Sequence, residues 1–239
     1  MVKSSVALLC KSTSALKRHK IYEISEKYLK EITHLYLNGK NLDELGDEMA
    51  LCQCLTVLYL YDNKLKSIPK YLNLSQLTHL YLQNNHISRI ENLNSLEKLE
   101  KLLICLDVSG NKLDTLQDLS NLHALISLNV SNNSIQSIHD LSTSLNKWSN
   151  LKEFHIQGNP VMKTARARDV IIVTAKRLEI LDDKAISEPN RQFLENWNQY
   201  KSFNLELSRC PRNRQITLGT KPELTDLINQ EFTKVSCKL

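Results

Sequence analysis

Residues 55–65, LTVLYLYDNKL, and residues 77–87, LTHLYLQNNHI, decide the fold. They begin 22 residues apart and share one pattern, LxxLxLxxNxL, with apolar residues at the first, fourth, sixth and eleventh positions and Asn at the ninth. Working outward, further copies start at Leu103 (LICLDVSGNKL), Leu125 (LISLNVSNNSI) and Leu151 (LKEFHIQGNPV). A degenerate first copy runs from Ile32 to Leu42, with Lys40 where Asn is expected and Asn41 one place later. Repeats therefore start at 32, 55, 77, 103, 125 and 151. Self-similarity at this period predicts a stacked-repeat architecture rather than a globular core.

Within each copy, apolar residues at positions four and six (Leu58 and Leu60, Leu80 and Leu82) alternate with polar or aromatic ones, the period-two signature of a strand with one buried face. The ninth-position residues Asn63, Asn85, Asn111, Asn133 and Asn159 stand where the chain leaves the strand, and a carboxamide there can satisfy the turn's backbone groups. Ile68, Ile90, Leu93, Leu96, Leu116 and Leu119 are expected to fill the opposite half, where a helix or 3₁₀ turn returns the chain. No single unit buries its wedge alone, so neighbours must stack. The expected fold is an α/β solenoid of leucine-rich repeats of about 22 residues, with a curved parallel sheet on the concave face, helices or 3₁₀ turns on the convex face, and both ends capped.

The spacing from 77 to 103 is irregular. LEKLLI, residues 99–104, starts one repeat and LICLDVSGN starts another four residues later. We read this fusion near residues 99–106 as a junction left by deletion of whole repeats; the alternative is a tolerated convex insertion.

Four segments are expected. Residues 1–30 form an N-terminal helical cap, with Ile24, Tyr28 and Leu29 at helical spacing over the Ile32 repeat. The repeats occupy 31–161. Residues 162–200 form a C-terminal cap, with a helix around 168–176, a short strand at 178–181, and a further helix that places Phe193, Leu194 and Trp197 on one face. The pattern fades beyond this, and 203–239 is expected to be a basic tail without stable structure.

The net charge of +5 is concentrated at the ends. Residues 1–30 hold seven Lys/Arg against two Glu and residues 201–239 hold seven against four acids, leaving 17 basic and 20 acidic residues between them. A nucleic-acid binder would carry its basic stripe on the repeats, so no nucleic-acid partner is expected. The longest early apolar run, Val6 to Cys10, is too short for a secretory signal, and no stretch approaches the roughly 18–20 apolar residues of a membrane span. Six cysteines without a paired framework, and Cys52-Gln-Cys54 at the wrong spacing for zinc or redox chemistry, predict reduced thiols. Phosphate-binding, dinucleotide-binding, metalloprotease and nucleophile-elbow motifs are all missing from the sequence. His34, His79 and His155 lie in separate repeats, and two strands put His34 and His79 roughly 9–10 Å apart, so no catalytic or metal centre and no cofactor is expected.

The fifth position carries Tyr36, Tyr59 and Tyr81, which stacking would place on adjacent strands about 4.8 Å apart. Asp107, Asn129 and His155 continue that column, with Tyr61, Asp62, His79, Gln83 and Asn84 flanking it. Tyrosine combines apolar area with a hydroxyl at low entropic cost, and it is enriched where proteins bind one another. Packing of tyrosines on a pleated surface is the structural alternative. The candidate partner-binding set on the concave face is Tyr36, Tyr59, Tyr61, Asp62, His79, Tyr81, Gln83, Asp107, Asn129 and His155.

The strings LTVLYLYDNKL and LTHLYLQNNHISRIENLNSLEKLEKL, with the closing GNPV, LEILDDKAI and RQFLENW, resemble the 22-residue-repeat regulators of protein phosphatase 1 over about residues 20–200. The resemblance implies a monomeric chain that binds the phosphatase catalytic subunit through its concave surface, in the cytoplasm, at the cytoskeleton and the centrosome or other microtubule-organising structures. In keeping with a concave-face mode, the sequence lacks a basic-x-Val/Ile-x-Phe/Trp docking motif; Lys234-Val235-Ser236-Cys237 comes nearest and lacks the aromatic. The resemblance implies additional repeats at the seam, so the fusion near residues 99–106 is a departure from the pattern of those regulators. The competing expectation is a scaffold whose basic ends engage tubulin or motor-linked proteins, without phosphatase regulation and without a membrane.

Overall fold

Each LxxLxLxxNxL copy contributes a three-residue strand, since positions three to five are the part of the motif that alternates strictly. The computed structural model describes residues 2–13, 26–68, 76–91 and 104–209, with side chains as far as Lys201. The strands are β1 (His34–Tyr36), β2 (Val57–Tyr59), β3 (His79–Tyr81), β4 (Cys105–Asp107), β5 (Ser127–Asn129) and β6 (Glu153–His155). They pair in parallel and in sequence order, so Leu35, Leu58, Leu80, Leu106, Leu128 and Phe154 align across the sheet. All six are at most 1% exposed. The fold is the expected α/β solenoid. At the irregular spacing the later start prevails, because β4 pairs directly with β3 through His79 and Cys105. Residues 99–103 of the junction, like Leu93 and Leu96, lie outside the described residues.

The ninth-position asparagines are buried and hydrogen-bonded at both ends of the carboxamide. In each case Nδ2 donates to the sixth-position carbonyl of its own repeat and of the preceding one, as Asn85 does to Leu82 (2.9 Å) and Leu60 (3.0 Å). The oxygen accepts from the eleventh-position N–H of the preceding repeat. The degenerate first copy draws on the same device: Asn63 Oδ1 also accepts from Lys40 N–H at 3.1 Å. Just before the ladder, the eighth position takes a left-handed backbone in every repeat, at Gly39, Asp62, Asn84, Gly110, Asn132 and Gly158. Only Gly, Asn and Asp occupy it, the types that tolerate positive φ.

The convex return is made of 3₁₀ turns at Asp47–Leu51 and Gln117–Leu119 and of α3 (Ile138–Lys147). Ile68, Ile90, Leu116 and Leu119 are buried there, as expected. Where the leucine column changes to Phe154, Trp148 packs beside it with ring centroids 6.4 Å apart. The indole N–H donates to Leu119 O at 2.9 Å.

The N-terminal end is closed by more than the helix read from Ile24 to Lys30. That helix is α2 (Glu26–Glu31), which buries Leu29. Ahead of it α1 (Val6–Lys11) buries Leu9 and Cys10, starting at Ser5, whose hydroxyl accepts from Leu8 N–H. The chain just past α1 covers the edge strand: Tyr36 N–H donates to Ser12 O at 2.8 Å. An open β1 edge would invite pairing with another chain.

At the C-terminal end α4 (Ala167–Thr174) overlaps the helix expected around 168–176, starting one residue earlier and ending two sooner. The predicted strand is shorter, β7 (Ile180–Leu181), and joins the sheet in parallel with β6. An additional strand, β8 (Lys184–Ala185), turns back antiparallel and ends the sheet through a tight turn at Asp182 and Asp183, both left-handed. Helix α5 (Glu188–Arg209) follows. Its packed face differs from the expected one: Phe193 is 50% exposed, while Leu194 and Arg191 are buried. Residues 1–195 form one compact unit and a second begins at Asn196. In the second, Trp197 and Tyr200 lie one turn apart on α5 with ring centroids 6.4 Å apart, and residues 210–239 of the expected tail are outside the described residues. Among the described residues no helix is long and apolar enough to cross a membrane.

Candidate functional site on the concave face

The third, fifth and seventh positions of each strand point away from the leucine core, so register alone decides which of them meet. Tyr36, Tyr59 and Tyr81 are exact neighbours across β1, β2 and β3. Their rings stack face to face: centroids are 4.7 Å apart at 7° between Tyr36 and Tyr59, and 4.9 Å apart at 3° between Tyr59 and Tyr81. Tyr61 meets Tyr59 edge-on at 6.5 Å, and the His79 ring lies 6.4 Å from Tyr81. The stack is solvent-accessible, with Tyr36 37% exposed.

Beyond β3 the column changes character. Asp107 succeeds Tyr81 in register, and its Oδ2 accepts from Asn129 Nδ2 at 3.1 Å while its Oδ1 accepts from Ser109 N–H at 2.9 Å. His155 ends the column beside Glu153, with His155 Nε2 3.1 Å from Glu153 Oε1 and Nδ1 3.5 Å from Asp183 Oδ1. Ser127 Oγ donates to Glu153 Oε2 at 3.0 Å. The hydrogen bonds from His155 and Ser127 hold the Glu153 carboxyl below the usual carboxylate range. Cys105 sits between the two halves, bonded to Tyr81 and Ser127, and burial raises its thiol. Burial first, and then the neighbouring Cys105, pushes the Tyr81 phenol up to about 12, so it stays neutral in any physiological buffer.

The ten residues expected here do not act as one group. Tyr36, Tyr59, Tyr61, His79 and Tyr81 are brought together, Asp107 and Asn129 form a second pair, and His155 belongs to a third cluster. Asp62 is a turn residue at the left-handed eighth position rather than a strand-face residue, and its Oδ1 accepts from Asn84 Nδ2 at 2.8 Å. Gln83 Oε1 is buried without a hydrogen-bond partner in the structure. Cys105, Ser127, Glu153 and Asp183 complete the polar half and were not expected; from the fourth repeat onward the third position holds Cys, Ser and Glu in turn, with no recurring type to announce it. The histidines do not converge: His34 and His79 each turn Nδ1 to the preceding threonine hydroxyl. No group of three or more metal-ligating side chains occurs among the described residues.

Comparison with known proteins agrees with the fold. A family model described as a leucine-rich repeat region matches residues 10–227. A chain of the Drosophila melanogaster SNF/U2A′ complex aligns over 88% of this chain and 100% of its own length, with a TM-score of 0.52 at 21% identity. An internalin, InlF, from Listeria monocytogenes aligns over 69% of this chain and 52% of its own, with a TM-score of 0.55 at 20% identity. These likenesses concern the fold. The alpha subunit of geranylgeranyl transferase type-2 from Pongo abelii is 36% identical over 82 residues, which is 34% of this chain and spans only 14% of that protein.

Proposed function

The chain belongs to the leucine-rich-repeat family, and from that premise we propose that it is a non-catalytic module that holds the protein phosphatase 1 catalytic subunit on its concave face, at microtubule-organising structures such as the centrosome. The observation that carries a binding role is the tyrosine stack. Three parallel, stacked rings on the outward face of β1 to β3 contribute nothing to the leucine core, yet they present a rigid aromatic ridge with hydroxyls at its rim. Such surfaces supply contact area at little entropic cost. What favours the phosphatase as partner is the resemblance of the repeat and cap strings to its 22-residue-repeat regulators. Co-precipitation of the catalytic subunit by the full chain tests it. Tyr59→Ala/Tyr81→Ala should weaken capture at least about tenfold, as loss of central aromatic anchors does. Retained capture by the double variant overturns the concave-face mode, and no capture by the unmodified chain overturns the partner.

A second reading rests on a different observation, the concentration of positive charge in residues 1–30 and 201–239. Those ends suit an acidic cytoskeletal surface such as tubulin. Microtubule co-sedimentation should then fall steeply with salt. It should also fall on removal of 210–239 together with Lys17→Gln/Arg18→Gln/Lys20→Gln, changes that leave α1 in place. Salt-insensitive binding overturns this reading.

A further inference from the structure

The concave face is selective in charge as well as shape. No third, fifth, seventh or eighth position in the six repeats holds Lys or Arg, in a chain whose net charge is +5, whereas Asp62, Asp107 and Glu153 occupy those positions as carboxylates. Asp62 lies in the turn beside Asn84, and Glu153 stands on β6 near the end of the sheet between Ser127 and His155. Asp107 is different. It stands in mid-sheet, next in register after the last ring of the stack. Its two hydrogen bonds, from Asn129 and Ser109, fix the carboxylate and leave each oxygen a second lone pair.

The tyrosine stack also stops there. Tyr81 is covered on one face by Tyr59, and among the described residues no ring follows it on the β4 side. Successive strands are about 4.8 Å apart, close to ring-stacking distance, so the space above Asp107 is the next place in the stack. A planar cation fits it: a guanidinium stacks on an aromatic face, and its fork pairs with a carboxylate below. An ammonium lacks both the plane and the fork.

We infer that the Tyr81–Asp107 step is an arginine pocket, and that the segment held on the concave face is a cationic peptide that inserts an arginine as the fourth member of the tyrosine stack. This rests on the concave-face reading above and specifies the chemistry of its occupant. The neutral phenol of Tyr81 keeps the ring face electron-rich without adding a competing charge, while Asp107 supplies the counter-ion. Partial desolvation between ring, carboxylate and peptide strengthens the pair relative to one in open water.

Short random peptides displayed on phage and selected on the immobilised full chain provide the probe, followed by synthesis of the binders with arginine, lysine or citrulline at each arginine position. Arginine should be enriched. Arg→citrulline at one position should weaken binding about tenfold, the scale of losing one charge of a close pair, and Arg→Lys should weaken it less. On the isosteric Asp107→Asn chain the citrulline substitution should make little further difference, which is the signature of a direct pair. Tyr81→Phe keeps the ring and should keep binding, and Tyr81→Leu should lose it. Binders that depend on Tyr59 and Tyr81 but show no arginine preference, or a citrulline effect undiminished on Asp107→Asn, overturn the pocket and leave the concave-face reading standing. Binders indifferent to those tyrosines, or no binders at all, overturn both.

Discussion

The backbone N–H of Leu65 donates to the side-chain oxygen of Asn85, 20 residues ahead in the next repeat, at 3.0 Å, while Asn85 Nδ2 returns to the carbonyls of Leu60 and Leu82. One 3%-exposed side chain therefore closes the backbone of two repeats. Asn85→Leu removes the bonds and strands the groups it served. Unsatisfied buried groups cost about 1–3 kcal/mol each, so a loss of roughly 2–4 kcal/mol is expected in urea unfolding monitored by circular dichroism. A change under about 0.5 kcal/mol, the range of ordinary surface substitutions, would mean that the ladder is dispensable.

The left-handed eighth position gives a second, finer prediction. Gly158 (φ +75°) and Gly39 (φ +62°) share the conformation, but a Cβ at Gly158 would run into the side-chain oxygen of Asn132 and one at Gly39 meets open space. Gly39→Ala should cost only the backbone term, about 1–2 kcal/mol. Gly158→Ala should cost more. In an Asn132→Gly background the excess should shrink, because most of it is contact with that side chain. Equal costs at the two glycines would refute the contact.

The interior was legible because every repeat puts the same position in the same environment: reading Leu58 and Leu80 as core also reads Leu106 and Leu128. The tyrosine stripe was legible for the same reason, since it recurs at the repeat spacing. Features used once carry no period. Helix α1 has six residues, too few to show amphipathic spacing, and is held by tertiary contacts of Leu9 and Cys10. Strand β8 has two residues and follows from the turn at Asp182 and Asp183. Asp62 shows the opposite failure. The column of Gly, Asn and Asp was visible at the eighth position, but a polar residue next to a tyrosine stripe reads equally as a contact residue until its φ is known.

Thiol reactivity separates the described cysteines. Cys52 is 1% exposed, and burial, reinforced by Cys10 and Glu48, pushes its thiol up to about 12; burial also raises Cys10. Cys54, two residues on, is exposed. Because the thiolate is the reactive form, iodoacetamide at mildly alkaline pH should label Cys54 first, Cys105 more slowly, and Cys10 and Cys52 only after denaturation. Peptide mapping by mass spectrometry reads the order directly. Labelling of Cys52 in the folded chain as fast as Cys54 would contradict the packing of the N-terminal cap.

The Glu153 cluster predicts a modest acid sensitivity. The folded carboxyl lies below its ordinary value, so its contribution to stability is present above the unfolded pKa of about 4.3 and is lost as pH falls through the lower folded value. With 42% of the side chain exposed, the effect is screened and small. Glu153→Gln should therefore lower stability slightly near neutrality, where the parent's carboxylate contributes, and flatten the fall in stability below about pH 4. An unaltered slope in acid titrations of the unfolding midpoint would show that the His155 and Ser127 hydrogen bonds contribute nothing.

Arg191 is 7% exposed, and its guanidinium donates to Ala175 O at 3.0 Å and to the carbonyls of Ile172 and Leu178. Ile172 O belongs to the last turn of α4 and Ala175 O to its C-cap, the negative pole of the helix dipole, while Leu178 O follows in the chain beyond it, so one buried cation meets three acceptors at once. Its 4.0 Å contact with the exposed Glu188 adds little. Arg191→Ala should cost about 3–5 kcal/mol, the range for removing one partner of a buried charged network. Arg191→Lys should recover less than half, because an ammonium lacks the fork that reaches divergent acceptors. If the lysine variant were as stable as the parent, the charge alone, and not the geometry of the cap, would hold the first turn of α5 to the chain that follows α4.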